Sequence, residues 1–367
     1  MRVVSLDVRD LRSLDRLQIE IGPGITSVVG DNGTGKTNLL EAIYFGLSGR
    51  SFRTRDRREL IRFGESVARA ELVALAEEQT SHSLLASVSR TEGRRHLLDG
   101  EPAPPETIAR HRPHLVVFSP DRLVLVKGPP AERRAHIDLF ITARWPSRSG
   151  LRQDYGQTLA QRNALLRRVA AGLAPEAELD AWDIALAAAA APLIDARNEA
   201  TAELAPRFGE SAAELGVEAA ELRYAARSEA DPEALREALA ERRASDLQRA
   251  RTSLGPHLDE LELTIDGRSM RRYGSQGEQR AGLLALLFAE RETLIAAGSP
   301  APLMLLDDVM SELDSTRRLA LVDLLRLGGG QSVITTTDVD HVPGARDEGI
   351  ARLEVASGTL LAEQLAA

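Results

Sequence analysis

Cysteine is absent from the 367 residues. Its absence excludes disulfides, thiolate zinc sites and cysteine nucleophiles. Aromatics are scarce, at 4%, and none alternate with basic residues, which argues against a base-stacking platform for single-stranded nucleic acid. Lysine is nearly missing: of 46 basic residues only Lys36 and Lys127 are lysine, leaving 44 arginines. That skew is compositional, and it makes any position that keeps lysine worth inspecting. No apolar run approaches the ~18 residues of a transmembrane helix. The N-terminal Met1-Arg2-Val3-Val4-Ser5-Leu6-Asp7 alternates like a strand and has no signal-peptide core. A cytoplasmic protein with no membrane association is expected. The net charge of −9 excludes a wholly basic nucleic-acid sleeve, but not a local basic face. The length suits about two domains at roughly 150 residues each.

Lys36 lies in Gly30-Asp31-Asn32-Gly33-Thr34-Gly35-Lys36-Thr37, the G-x-x-x-x-G-K-[ST] pattern of a phosphate-binding loop. With so few lysines, a chance match is roughly one in a thousand. The β-rich run 25–29 precedes it, and 37–47 reads as a helix with apolar Leu39, Leu40, Ile43 and Leu47. Backbone N–H groups of the glycines and the helix N-terminus would hold phosphates. Lys36 would reach the β- and γ-phosphates and Thr37 would hold Mg²⁺. Arginine would fit poorly at position 36, because its planar fork is bulkier than a point ammonium.

Far downstream, Pro302-Leu303-Met304-Leu305-Leu306 runs into Asp307-Asp308. A buried strand ending in paired acids suits a Walker B element. Asp307 would bind Mg²⁺ and Asp308 would polarise the attacking water. Between these elements, Gly274-Ser275-Gln276-Gly277-Glu278-Gln279-Arg280 opens an apolar helix. Alone it reads first as a capped helix start, with an anion-facing turn as the alternative. Order is what distinguishes it: phosphate loop, long gap, S-x-G-x-Q, then the apolar strand with paired acids, then Ser311-Glu312-Leu313-Asp314. That is the layout of an ABC-type ATPase.

Periodicity predicts strands at 2–8, 15–21 and 25–29, a meander at 67–75, 83–89 and 94–98, and a buried strand at 114–118. From about 129 to 254 the chain is rich in Ala, Arg and Glu with almost no β signal. Pro175, Pro192, Pro206 and Pro232 are expected to break this region into several helices. Residues 255–367 return to alternating strands and helices, with a strand expected at 261–265. The expected architecture is α/β: an ABC-type P-loop ATPase head formed by 1–128 and 255–367, with 129–254 inserted as a helical lobe.

Residues 50–62 carry six arginines against two acids. Arg50, Arg53, Arg55, Arg57 and Arg58 are candidates for salt-sensitive contact with DNA phosphates, and Arg90, Arg94 and Arg95 could extend the patch. His111 and His114 are closely spaced, but Pro113 interrupts the helix that would align them, so no histidine metal site is expected.

Several stretches together resemble the RecF family of bacterial recombination mediators, relatives of SMC-type ATPase heads. They are Leu11-Arg12-Ser13-Leu14, the phosphate loop through Ile43, Gly49-Arg50-Ser51-Phe52-Arg53-Thr54, Val117-Phe118-Ser119-Pro120-Asp121, Lys127-Gly128-Pro129-Pro130-Ala131-Glu132-Arg133-Arg134, Gly255-Pro256-His257, and the two acidic and signature elements. The resemblance implies ATP sandwiched between two protomers in an ATP-dependent homodimer. Arg12 and Asn38 would join the loop residues at the nucleotide. Ser275, Gln276, Gly277, Glu278 and Gln279 would act in trans, with Asp314 in the loop crossing the interface. It further implies double-stranded or gapped DNA as ligand, RecR and RecO as partners, and loading of RecA as the indirect outcome. Three departures stand out. No Gln occurs between His114 and Pro130, Thr337 stands where a switch His is common, and Leu258-Asp259 follows where Arg is more usual. The first two favour slow hydrolysis used as a switch. Competing readings are a transporter's nucleotide-binding subunit, which the arginine cluster and the long insert disfavour, and a platform whose ATP is not turned over.

Overall fold

A computed structural model of the chain describes residues 1–76, 80–346, 349–356 and 358–364. Its strands in chain order are β1 (Arg2–Leu11), β2 (Leu14–Glu20), β3 (Ile25–Val29), β4 (Val67–Leu75), β5 (Ser81–Ser89), β6 (Gly93–Leu98), β7 (Glu101–Pro102), β8 (Leu115–Phe118), β9 (Ala220–Ala225), β10 (Glu260–Ile265), β11 (Arg268–Ser269), β12 (Leu303–Leu306), β13 (Ser332–Thr336), β14 (Ile350–Ala356) and β15 (Thr359–Gln364). They make an α/β fold of two compact units. The first comprises Met1–Leu123, Glu214–Gly216 and Arg291–Ala367; the second comprises Val124–Ala213 and Val217–Glu290.

In the first unit, β2-β1-β4-β5-β6-β7 form one antiparallel sheet and β15-β14-β3-β13-β12-β8 form the other. The second sheet is parallel except for the β14–β15 pair. Two of its strands, Leu115–Phe118 and Leu303–Leu306, read as continuous apolar runs, as expected where a sheet is covered on both faces: all four residues of Leu303–Leu306 are buried. The antiparallel strands instead alternate. In β4 the even-numbered positions 68–74 are buried and the odd ones are not. The helix Lys36–Ser48 joins both sheets in one core. Leu39, Leu40, Ile43, Phe45 and Leu47 are fully buried with β1, β4 and β5 residues and with Val117, Leu305 and Val333. Each such side chain contributes about 1.5–3 kcal/mol relative to exposure. Gly46 permits the approach to β4, since a Cβ there would come within 1.9 Å of Leu72 Cδ1.

The second unit departs from expectation in three ways. It begins at 124, not 129, and extends to 290, not 254. The later end follows from a strand that the composition of the insert conceals. Ala220–Ala225 pairs along its whole length with Glu260–Ile265, so the strand expected to rejoin the ATPase sheets is instead paired with β9 and β11. Nor do Pro192 and Pro206 break the chain: both lie inside one helix, Leu179–Glu214. Proline removes a bond to the carbonyl four residues back. Here Pro192, Pro206 and the residues that lose the bond, Ala188 and Ala202, all face solvent, where water replaces the missing donor. The small alanines leave room for the rings. Pro232, by contrast, starts a helix at its first turn behind the Asp231 cap.

Candidate nucleotide site

The phosphate loop connects β3 to the helix Lys36–Ser48 at the C-terminal edge of the parallel sheet, where open α/β sheets place ligands. Gly33 (φ 81°) and Gly35 (φ 107°) adopt left-handed backbone conformations that glycine reaches without strain. Gly30 answers a different need: a Cβ there would lie 2.2 Å from the Val355 carbonyl oxygen. An open depression of about 230 Å³ is lined by Asn32, Gly33, Gly35, Lys36, Thr37, Asn38, Arg53, Asp307 and Asp308. The Lys36 ammonium donates to the carbonyls of Gly30 (2.6 Å) and Asp31 (2.8 Å). Burial lowers its pKa, against the opposing pull of Asp308, Asp307 and Asp31. Thr34 Oγ1 closes the loop on the Asp31 carbonyl at 2.8 Å.

Two elements separated by 270 positions meet at Asp307. Its carboxylate accepts from Thr37 Oγ1 at 2.8 and 3.0 Å and from Thr335 Oγ1 at 2.9 Å. Burial pushes this carboxyl above the ordinary carboxylate range. The two hydroxyls oppose that shift, and neighbouring Asp308 adds to it. A divalent cation would relieve the cost. The oxygen-only set of one hydroxyl and one carboxylate suits Mg²⁺, which takes its remaining ligands from water and phosphate. Asp308 has φ 49° and starts the 3₁₀ turn Val309–Glu312. Its backbone N–H donates to Thr335 Oγ1 at 2.8 Å, while its own Oδ1 is buried with no hydrogen-bond partner among the described residues. A buried, unpaired carboxylate oxygen costs free energy and is supplied with a partner when water or phosphate enters. The residues present therefore fit both ATP and Mg²⁺.

Arg12 (φ 55°) forks onto Glu41, Nε to Oε2 at 2.9 Å and Nη2 to Oε1 at 3.1 Å. Glu41 is fully buried and also accepts from Ser51 Oγ at 2.5 Å and Arg53 Nη1 at 3.4 Å. Arg53 further reaches Asn38 Oδ1 at 3.1 Å, and Asn38 Nδ2 donates to Ser13 Oγ at 2.8 Å. Arg53, expected among the DNA candidates, thus stands at the phosphate loop. Arg50, Arg55 and Arg58 are exposed, and Arg57 is half-buried. Burial holds the Arg57 guanidinium below its usual value, and the charges of Arg94 and Arg50 add to the effect.

In the second unit, Ser275 precedes the helix Gln276–Ala296. The Ser275 N–H donates to Glu278 Oε2 at 2.7 Å, and the Glu278 N–H donates to Ser275 Oγ at 3.3 Å. This reciprocal pair is a capping box. Gln276 is exposed beside it and Gly277 half-buried. Gln279 is buried, and its amide donates to the carbonyls of Met270 at 3.0 Å and Arg271 at 3.4 Å. It braces the turn and does not face outward. Asp314 caps the helix Ser315–Leu327 by accepting from the Arg317 N–H.

Three residues at the nucleotide site carry little signal in the sequence. Thr335 is one; the position that stands out there is Thr337, two residues on. Glu41 and Ser51 are the others. A lone acid among apolar helix residues is the signal for Glu41, and Ser51 is marked only by lying in the Gly49–Thr54 stretch that carries the family resemblance.

The sequence model of the family described as RecF/RecN/SMC N terminal domain matches residues 2–356. The chain is 41% identical over 352 residues to the DNA replication and repair protein RecF of Anaeromyxobacter sp. (strain Fw109-5), covering 92% of this chain and 93% of that one. It is 38% identical over 374 residues to the same-named protein of Myxococcus xanthus, covering 98% and 96%. Among solved structures it resembles the recombination mediator protein RecF-ATP in the RecFOR pathway, with TM-score 0.83, 26% identity, and coverage of 99% and 97%. An Smc head bound to the C-winged helix domain of ScpA shares the fold at TM-score 0.61 and 18% identity, covering 98% and 96%.

Proposed function

Since the chain belongs to the RecF family of DNA replication and repair proteins, we propose that it is an ATP-driven dimeric clamp on double-stranded or gapped DNA. In this reading it acts with RecR and RecO and promotes loading of RecA. The binding of ATP and its hydrolysis accord with the family and with its ATP-bound structures. The slow, DNA-responsive, switch-like character of the hydrolysis is the proposal. The observation that carries it is Asp308 Oδ1, buried and unpaired beside the Thr37–Asp307 pair.

Each residue has a role consistent with its contacts. Lys36 leaves the loop carbonyls for the β- and γ-phosphates. Thr37 and Asp307 would hold Mg²⁺, which would supply charge neutralisation at the phosphates. Asp308 accepts a hydrogen bond from the attacking water. Arg12, Asn38 and the loop 30–37 bind and orient the nucleotide. The exposed Ser275 of a second protomer completes the γ-phosphate site, and Asp314 of that protomer lies in the interface loop. Loss of the γ-phosphate then releases the dimer, because ATP shifts the equilibrium only through its stronger contacts with the closed state. The absence of a Gln after β8 and the Thr at position 337 where a His is common favour slow turnover. Arg50, Arg55, Arg57 and Arg58 are proposed to contact DNA phosphates. The transporter reading loses its footing in the family match over residues 2–356.

The test is duplex-DNA binding by Asp308→Asn, followed by fluorescence anisotropy with and without Mg-ATP across a salt series. Tight, ATP-dependent, salt-sensitive binding is expected. No binding at low salt would remove DNA as the ligand.

A further inference from the structure

The outer face of the antiparallel sheet carries an arginine row that strand order alone cannot reveal. The registers pair Arg16 of β2 with Arg9 of β1, Arg9 with Arg69 of β4, Arg69 with Ser87 of β5, and Ser87 with Arg95 of β6. Four arginines from four strands therefore lie on one line across the sheet. Arg9, Arg16 and Arg95 are exposed and Arg69 is half-buried. The face is the one turned away from the helix Lys36–Ser48, since that helix packs with the alternate residues Val8, Ala70, Leu72 and Ala86.

Arginine-rich composition does not account for this placement. The next outward row reads Gln18, Asp7, Glu71, Leu85, Leu97, and the one beyond it Glu20, Ser5, Val73, Ser83. Neither holds an arginine. Arg94, the neighbour of Arg95, pairs with Val88 in a row of the opposite face. Only Arg2, at the start of β1, is an outward arginine outside the line. Like charges directly opposite one another destabilise a sheet, and here two such pairs, Arg16–Arg9 and Arg9–Arg69, are adjacent. Some relief comes from Asp7 at 3.5 Å from Arg9, from Glu71 beside Arg69, and from Glu92 at 2.7 Å from Arg95. Arg16 has no acidic partner among the described residues. The Arg95–Glu92 pair is solvent-exposed, hence weak and readily exchanged for other anions, while Asp7 and Glu71 are half-buried.

We propose that this row is a second DNA-backbone contact, separate from the arginines that follow the phosphate-loop helix. The inference rests on the DNA-binding reading above. Four strand-to-strand steps of about 4.8 Å make a line of about 19 Å, the length of five or six phosphates of one strand at about 3.4 Å of axis each. No exposed aromatic side chain lies in the line or in the two neighbouring rows, so the face offers charge without base stacking, and contact is with phosphates irrespective of sequence.

The test compares the full-length protein with Arg9→Gln/Arg16→Gln/Arg95→Gln, leaving Arg69 in place because it bonds Glu71. A labelled duplex of mixed sequence is titrated over a salt series, and thermal unfolding and ATP binding confirm that the variant is folded. The slope of log K against log[salt] is expected to flatten by about 2–3, with affinity at low salt down about tenfold or more. The matching Arg→Lys triple variant is expected to keep the parent slope. An unchanged slope in the Gln variant, with the unmodified protein binding duplex, overturns the row as a DNA contact and leaves DNA binding itself standing. Absence of binding by the unmodified protein overturns the DNA reading and the row with it.

Discussion

Arg12 and Glu41 form a bidentate ion pair, 2.9 and 3.1 Å, that ties the end of β1 to the middle of the phosphate-loop helix. Glu41 is fully buried and Arg12 about one-fifth exposed. Removing one partner of such a pair leaves a buried charge short of compensation, at a cost of about 2–4 kcal/mol. Arg12→Ala should therefore lower the unfolding free energy by about that amount in urea titrations. Arg12→Ala/Glu41→Gln should recover most of it. ATP affinity, read by nucleotide titration, should stay low in both variants if Arg12 also binds nucleotide. Full recovery of affinity in the double variant would assign Arg12 a purely structural role.

Asp307 sits at a cost in the ligand-free protein. Its carboxyl is raised by burial, so the folded state favours the neutral form. Its stabilising contribution is present below the ordinary carboxylate pKa and is lost as pH rises through the raised folded value. Asp307→Asn should accordingly unfold at higher temperature than the parent near neutral pH. The gap should close as pH falls toward the ordinary carboxylate range. The same variant should lose Mg²⁺-dependent hydrolysis. A parent equally stable at both pH values relative to the variant would contradict the burial argument.

Lys36→Ala should abolish ATP binding and leave the fold intact. Its two bonds go to the carbonyls of half-buried Gly30 and exposed Asp31, where water can replace them. Isothermal titration with ATP measures the first, and an unchanged far-UV spectrum the second. Undiminished affinity would remove the lysine from the phosphate site.

Ser275→Arg should keep ATP binding by the monomer and block ATP-dependent dimerisation, as seen by light scattering. Loss of the capping box should cost about 1 kcal/mol, so a small drop in melting temperature is expected alongside. A full dimer with ATP would show that Ser275 does not act across the interface.

A mutually supporting order of short motifs is legible in the chain itself. Gly30 to Thr37, Ser275 to Gln279 and Asp307-Asp308 are local patterns whose chemistry is set by a few neighbouring residues. The helix after the phosphate loop and the alternating strand β4 are legible for the same reason, since side-chain period follows directly from backbone geometry. The strand Ala220–Ala225 is not. Its residues, Ala-Glu-Leu-Arg-Tyr-Ala, are good helix formers, and only the ladder with β10 makes them extended. The two internal prolines mislead in the opposite direction, because their tolerance depends on which side of the helix meets water.

By itself the sequence determined the phosphate loop, the paired acids, their order along the chain and the apolar periods that build the sheets around them, because each is written in contiguous residues. Tertiary structure alone decided that Thr335 would bridge Asp307 and Asp308, that Arg53 would turn to the phosphate loop, that Glu41 would be the buried anchor for Arg12, and that Arg16, Arg9, Arg69 and Arg95 would align. Those relationships join residues brought together by strand register and by packing over separations of up to 86 residues, from Arg9 to Arg95, or, at Thr37 and Asp307, 270. Pairing between distant segments is chosen by the energy of the whole core, so no local stretch of the chain encodes it.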